Sequence, residues 1–257
     1  QEFSSRKKAI YDAVMRLKTG DLLLVAGKGH EEIQDYGKKI IKISDKKLIK
    51  KILKKRSLIF KKVSYEKKIL KETFGETFKK NIKYNGVSIN TKKIKKNDLF
   101  FAVKGKKNDG HEFLKEAMEK GASGLVVSKN IKKNPKNKTI KVKNTLSSLN
   151  KLAEVTRRNS LAKIIGITGS VGKTTLKNLI SFSLKKFGKV YYSPHSYNNK
   201  FGVPLSVSNL KQNTDFGVFE IGMDKKGEID KLSKIIKPNI GIITNISYAH
   251  IKNFKNL

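Results

Sequence analysis

The stretch IIGITGSVGKTT, residues 164–175, runs from apolar side chains into a loop of glycine, hydroxyl and lysine. Gly169 and Gly172 let backbone N–H groups converge on an anion without interference from a Cβ. Lys173 can reach β- and γ-phosphate oxygens, and Thr174 offers a hydroxyl to Mg2+. The strict GxxxxGK[ST] pattern is not met, because Ile167 stands where its first glycine would be. The surrounding pattern is met: an apolar strand precedes the loop and an amphipathic helix follows. An ordinary glycine-rich strand-to-helix turn is the bland alternative, and that context weighs against it. The expectation is an ATP or GTP site held by Thr168, Gly169, Ser170, Val171, Gly172, Lys173, Thr174 and Thr175.

A second glycine–lysine loop sits in DLLLVAGKGHEEIQ, residues 21–34. It lacks the Ser or Thr after lysine that would serve Mg2+; His30 stands two residues beyond Lys28, with Gly29 between. Glu31 and Glu32 would repel phosphate, and no helix pattern follows. A second nucleotide site is therefore not expected here.

Around these loops the periodicities set the elements. Residues 4–18 have apolar positions at helical spacing behind a serine cap. Residues 22–26 read as a buried strand, 38–43 as a short strand, and Asp45 opens a lysine-rich helix to about Lys55. Residues 57–81 are charged, show no strong period, and are assigned to a linker. Beyond them, strands are expected at 87–90, 98–103, 124–128 and 139–142. Helices are expected at 112–120 and 146–158. After Ser160 the alternation becomes regular: strands at 163–168, 190–193, 217–221 and 240–245, with helices at 174–187, about 201–210 and 228–236. Such alternation implies a mostly parallel sheet with sites at the carboxyl ends of its strands. Glu220 and His250 both follow strands of that sheet, which lifts them above a solvated glutamate and a locally satisfied histidine. Asn198 and Asn199 are turn formers by default.

Several separate motifs resemble the Mur ligase family, ATP-dependent amide-forming enzymes of peptidoglycan precursor synthesis. The compact TGSVGKT is followed by YNNKFGVPLSVSNL, VFEIGMDKKGEI and PNIGIITNISYAHIKNF, in the family's order. Upstream, SINTKKIKKNDLFFAVKGKKNDGHEF looks like the UDP-binding module, and VKNTLSSLNKLAEVTRRN like the helix that links it to the ATPase. The resemblance implies ATP and Mg2+ as cofactors, with Thr174, Glu220 and His250 serving the metal. It gives Lys173, Glu220, His250, Asn198 and Asn199 catalytic roles. Asn90, Thr91, Lys92, Lys104, Gly105, Asp109, Gly110 and His111 fall on the uridine-nucleotide side. Asn90-Thr91-Lys92 departs from the usual Asp-Ser/Thr-Arg: a carboxylate is lost, and Lys cannot make the bidentate contact of Arg. The branch it most resembles adds D-alanyl-D-alanine to UDP-MurNAc-tripeptide through an acyl-phosphate. The first segment, SSRKKAIYDAVMRLKTGDLLLVAGKGHEEIQ, resembles the closing part of the ligase acting one step earlier. That carries Gly27 and Glu31 over as contacts to the amino end of a diamino acid.

The expected fold class is thus α/β. An incomplete P-loop parallel-sheet ATPase domain (161–257) follows a small α/β UDP-binding domain (82–160). A partial Rossmann-like piece (1–56) precedes both, joined by a linker (57–81). The absence of an initiator Met, the small first unit and the stop after a strand are expected of a fragment joining two ligases, whose activity alone is in doubt. A folylpolyglutamate synthase relative is the nearest rival, disfavoured by the UDP-binding module. A lysine-rich, nucleic-acid-binding P-loop protein is the rival from another class.

Composition bears on that last rival. The net charge is +37, but only five of the 58 basic residues are Arg, at 6, 16, 56, 157 and 158. Base-edge readout favours Arg, and single-strand binding wants aromatics interleaved with cations. Neither pattern is present, so nucleic acid is not expected as a partner. With no cysteine and no apolar run long enough for a bilayer, a cytoplasmic protein without membrane insertion is expected, as a monomer.

Overall fold

The computed structural model describes residues 3, 5–17, 23–26, 33–35, 40–42, 44–75, 78, 82–105, 108–131 and 137–247. The chain divides into two compact units, Gln1–Ser64 and Tyr65–Leu257.

In the first unit, helix α1 (Arg6–Arg16) starts at Ser5, whose side chain accepts the Lys8 N–H. Strands β1 (Ile33–Asp35) and β2 (Ile40–Lys42) pair antiparallel. Helix α2 (Asp45–Phe74) begins in this unit and contributes its last residues to the second. Ile10, Val14 and Ile52 form the buried cluster, with Leu23, Val25, Leu48 and Ile49 against it. Arg6 grips both carboxylate oxygens of Asp45 and also donates to the Ala26 carbonyl.

Two expectations are corrected here. Residues 23–26 are not a strand: Leu23 and Val25 turn inward, while Leu24 is 85% exposed. The segment alternates as a strand would, but among the described residues no neighbour pairs with it. The supposed linker at 57–81 is largely helix, because α2 continues through Phe74 without a Pro or Gly to stop it.

The second unit holds two sheets, both wholly parallel. The first orders β3 (Gly86–Ser88), β4 (Asp98–Phe101), β5 (Gly124–Val127) and β6 (Thr139–Lys141) in sequence. A 3-10 turn (Gly110–Phe113) leads into α3 (Leu114–Glu119) between β4 and β5. Phe100, Leu125 and Val127 pack against that helix, and Leu99, Phe101 and Val126 against the other face, as period-two alternation requires.

Helix α4 (Thr145–Arg158) then gives Leu149, Leu152 and Val155 to the core of the first sheet and Ala153 to that of the second. The second sheet is built from β7 (Lys163–Thr168), α5 (Lys173–Leu184), β8 (Val190–Tyr192), α6 (Gly202–Ser208), β9 (Phe216–Glu220), α7 (Glu228–Ile236) and β10 (Ile240–Ile243). Its strand order is β10-β7-β9-β8. Ile165, Ile167 and Val218 pack on Leu176, Ile180 and Leu184 of α5. Ile164 and Phe219 pack on the opposite face with α6 and α7. The chain crosses from β9 over to the far side of β7 to form β10. That reversal opens a crevice at the strands' carboxyl ends, the place where open α/β sheets bind ligands.

Candidate functional site

The loop between β7 and α5 supplies the first part of the site. Gly169 has φ +131 and Gly172 has φ +84, conformations that a Cβ resists. At Gly169 a Cβ would also lie 2.1 Å from Thr244 Oγ1, whereas at Gly172 it meets open space. The loop is tied to the segment after β10. Asn245 Oδ1 accepts the Val171 N–H at 2.9 Å, Thr244 Oγ1 donates to the Val171 carbonyl at 2.6 Å, and Ser170 Oγ accepts the Ser247 N–H at 2.9 Å. These three tethers were not foreseen; the Thr-Asn pair closing β10 was their only trace in the sequence. The Lys173 ammonium donates to the carbonyls of Gly169 (2.6 Å) and Ser170 (3.1 Å).

Glu220, at the end of β9, is the centre of the second part. Its Oε2 accepts from Thr174 Oγ1 at 2.8 Å and its Oε1 from Asn198 Nδ2 at 2.7 Å. Its own N–H donates to Ser193 Oγ at 3.2 Å. Lys177 Nζ stands 3.7 Å from Oε2, with both side chains only 2% exposed. Lys177 was missed from sequence.

The neighbouring Asn199 turns the other way. Its Oδ1 accepts the N–H groups of Phe201 and Gly202, 3.0 Å each, and so closes the turn that leads into α6. Asn198, by contrast, points at Glu220.

A cleft of about 590 Å3 lies beside the segment after β8. One wall comes from the first sheet: Asn90, Thr91, Lys92, Gly105 and Gly110. The other comes from the segment after β8: Tyr197, Asn199, Phe201 and Gly202. Thr91 is buried and donates to Glu116 Oε2 at 2.8 Å, and Lys120 bonds Glu116 Oε1 at 2.6 Å. These two hydrogen bonds, Lys120 first, hold the Glu116 carboxyl below its ordinary pKa. Lys93 Nζ reaches Tyr197 OH at 3.0 Å across the cleft walls.

Asp109 and His111 sit beneath that wall rather than in the lining. His111 Nδ1 is 2.6 Å from Asp109 Oδ1, and its Nε2 accepts the Ser128 N–H at 2.9 Å. Lys104 and Asp109 form a bridge that closes the loop. Gly27, Glu31 and His250 lie outside the described residues. Among the described residues no group of three or more acidic or histidine side chains gathers as a metal cluster. None of their helices is long and apolar enough to cross a membrane.

A parallel sheet with a glycine–lysine loop after a central strand, together with a second parallel sheet that forms one wall of a cleft, defines a class. Residues 167–257 match the Mur ligase middle domain, and residues 83–158 match the Mur ligase family, catalytic domain. Over these residues the chain belongs to the Mur ligase family.

Among its relatives, the UDP-N-acetylmuramoyl-tripeptide–D-alanyl-D-alanine ligase of Rickettsia prowazekii is 39% identical over 193 residues, 75% of this chain and 43% of that protein. The enzyme of the same name from Bacillus subtilis is 36% identical over 170 residues, 66% of this chain and 37% of that protein. Solved structures are similar too. MurF from Acinetobacter baumannii has a TM-score of 0.59 at 30% identity, covering 65% of this chain and 37% of that one. MurF ligase from Thermotoga maritima in complex with ADP has a TM-score of 0.56 at 32% identity, covering 65% and 39%. The chain spans about two-fifths of the length of the curated relatives it matches.

Proposed function

We propose that the second unit carries the nucleotide and acceptor sites of an ATP-dependent amide ligase that adds D-alanyl-D-alanine to UDP-MurNAc-tripeptide. The observation behind this reading is the shared segment after β8. Asn198 faces Glu220 at the phosphate loop, and Asn199, one residue on, lines the cleft. A carboxylate held in the cleft thereby comes beside a nucleotide's terminal phosphate, as acyl-phosphate formation needs. The names of the relatives and the ADP bound by one of them support it.

In this reading Lys173 leaves the carbonyls of Gly169 and Ser170 to neutralise β- and γ-phosphate charge, while the N–H groups at the α5 terminus receive the oxygens. Thr174 and Glu220 offer hard oxygen donors 2.8 Å apart, which suit Mg2+, and His250 is the third candidate. Bound Mg2+ would lower the repulsion between the phosphates and the acceptor carboxylate. Asn198 fixes the Glu220 carboxylate; the amine of the dipeptide then attacks the activated acyl carbon and phosphate leaves. Asn90, Thr91, Lys92, Lys104, Gly105 and Gly110 serve the uridine nucleotide, with Asp109 and His111 bracing the loop from beneath. Residues 1–56 are assigned to the end of a ligase for a diamino acid, with Gly27 and Glu31 as its contacts. A cytoplasmic monomer completes the reading.

Binding measurements test it. Calorimetric titration should show that the protein takes up both Mg·ADP and UDP-MurNAc-tripeptide. Lys173→Ala should weaken Mg·ADP by about 100-fold or more while the UDP-sugar peptide binds as before. Phosphate release should require ATP, tripeptide and dipeptide together. Failure of the UDP-sugar peptide to bind, with Mg·ADP bound normally, would overturn the assignment of the acceptor.

A further inference from the structure

Lys177 lies one helical turn beyond Lys173 on α5, and its side chain points inward rather than to water. Its ammonium donates to the His195 carbonyl at 2.6 Å and faces Glu220 Oε2 at 3.7 Å. A buried ammonium costs several kcal/mol unless it is paired and hydrogen-bonded, so its place in this chain needs a reason. Among the described residues, Lys177 is the one lysine that is buried.

The partners of Glu220 supply the reason. Thr174 and Asn198 both donate to its carboxylate, and both are neutral. Among the described residues, the ion pair recorded for Glu220 is with Lys177. Lys177 is also hydrogen-bonded to the backbone of His195, which stands at φ +49 just before the Tyr197–Asn199 turn. One side chain thus joins the phosphate-loop helix, the end of β9 and the segment that enters the cleft.

We propose that Lys177 is a positioning residue: it compensates the charge of Glu220 and pins the loop after β8, so that Glu220 stays bonded to Thr174 and Asn198. Glu220 accepts the Thr174 hydroxyl hydrogen bond, which leaves the hydroxyl lone pairs free for a ligand. With its charge compensated, the buried carboxylate does not repel the phosphate chain. The inference rests on residues 168–175 being a nucleotide loop, but the pairing with Glu220 can be tested without nucleotide.

A double-mutant cycle does so. Lys177→Met and Glu220→Gln should each lower the melting temperature by roughly 5–10 °C, since each leaves the other group buried and uncompensated. The double variant should regain much of that loss. Strictly additive losses would show that no pair exists and overturn the proposal. The second measurement is ADP affinity with and without Mg2+. In Lys177→Met the gain in affinity that Mg2+ brings should fall by about tenfold, with Mg2+-free affinity less affected. A merely structural lysine would lower both together, and that result would also overturn the positioning role.

Because the chain has no cysteine, Lys177→Cys treated unfolded with bromoethylamine and then refolded rebuilds a lysine analogue at one place. This form should recover the Mg2+ dependence. If the unaltered protein bound no ADP, the nucleotide-loop reading would fall, while the melting cycle would still decide the pair.

Discussion

One carboxylate, Asp109, braces the loop behind one wall of the cleft. Its Oδ2 takes the Lys129 ammonium at 2.7 Å, and its Oδ1 takes the His111 backbone N–H at 3.0 Å and the His111 ring at 2.6 Å. Because Nε2 of that ring accepts from the Ser128 N–H, the ring proton is assigned to Nδ1 and is donated to Asp109. The Lys129 ammonium first, and then the backbone N–H of His111, hold the Asp109 carboxyl well below the usual carboxylate range. A depressed folded-state value stabilises the fold above the unfolded pKa, near 4, and the contribution is lost as pH falls through the folded value. Asp109→Asn should therefore cost roughly 1–2 kcal/mol at pH 7 and pH 5, with Lys129 too exposed to add more. The difference should begin to shrink only below about pH 4. Urea unfolding at several pH values checks this; a penalty that did not shrink as pH fell below about 4 would contradict the assignment.

Among the elements, Asn209 at the end of α6 does the work of a missing strand. Its Oδ1 accepts the Val87 N–H at 2.9 Å and its Nδ2 donates to the Val87 carbonyl at 3.0 Å, capping the free edge of β3. The edge of the first sheet is thereby fastened to the helix that forms the other wall of the cleft. Asn209→Ala should leave two backbone groups unpaired and cost about 2–3 kcal/mol, with weaker binding of the UDP-sugar peptide. A neutral melting curve would show that water replaces the amide at no cost.

This clamp was not legible, since an asparagine after a helix reads as a cap and its partner lies 122 positions away. The strands β7 and β9 and helix α7 were legible, because apolar runs or a strong amphipathic period lie between clear breakers. Helix α2 was misjudged for the opposite reason: its lysines blur the period, and the real signal was thirty residues of helix formers without Pro or Gly. At the site, the loop 168–175 announced itself by residue type. Lys177 did not, because one lysine among so many carries no compositional signal. Its spacing did carry one: Lys173, Lys177 and Ser181 recur every fourth residue, beside the apolar stripe of Leu176, Ile180 and Leu184.

At the scale of the whole chain, the division of cores decides how it should unfold. The buried cluster of Ile10, Val14 and Ile52 draws on residues of the first unit alone. The other four clusters draw on residues of the second, including Ile69 and Leu70 from the last turns of α2. A unit of some sixty residues with three buried apolar side chains among its described residues is marginal, whereas nearly two hundred residues around two sheets are not. Scanning calorimetry should therefore show two transitions, the smaller at lower temperature. A ligand raises only the stability of the fold that binds it, by about 2.7 kcal/mol at 100 times its Kd. Mg·ADP at that level should move the larger transition up by roughly 5–10 °C and leave the smaller where it was. A single transition that shifts as a whole would mean that the two units unfold together, and that α2 transmits the stability of the nucleotide site to the first segment.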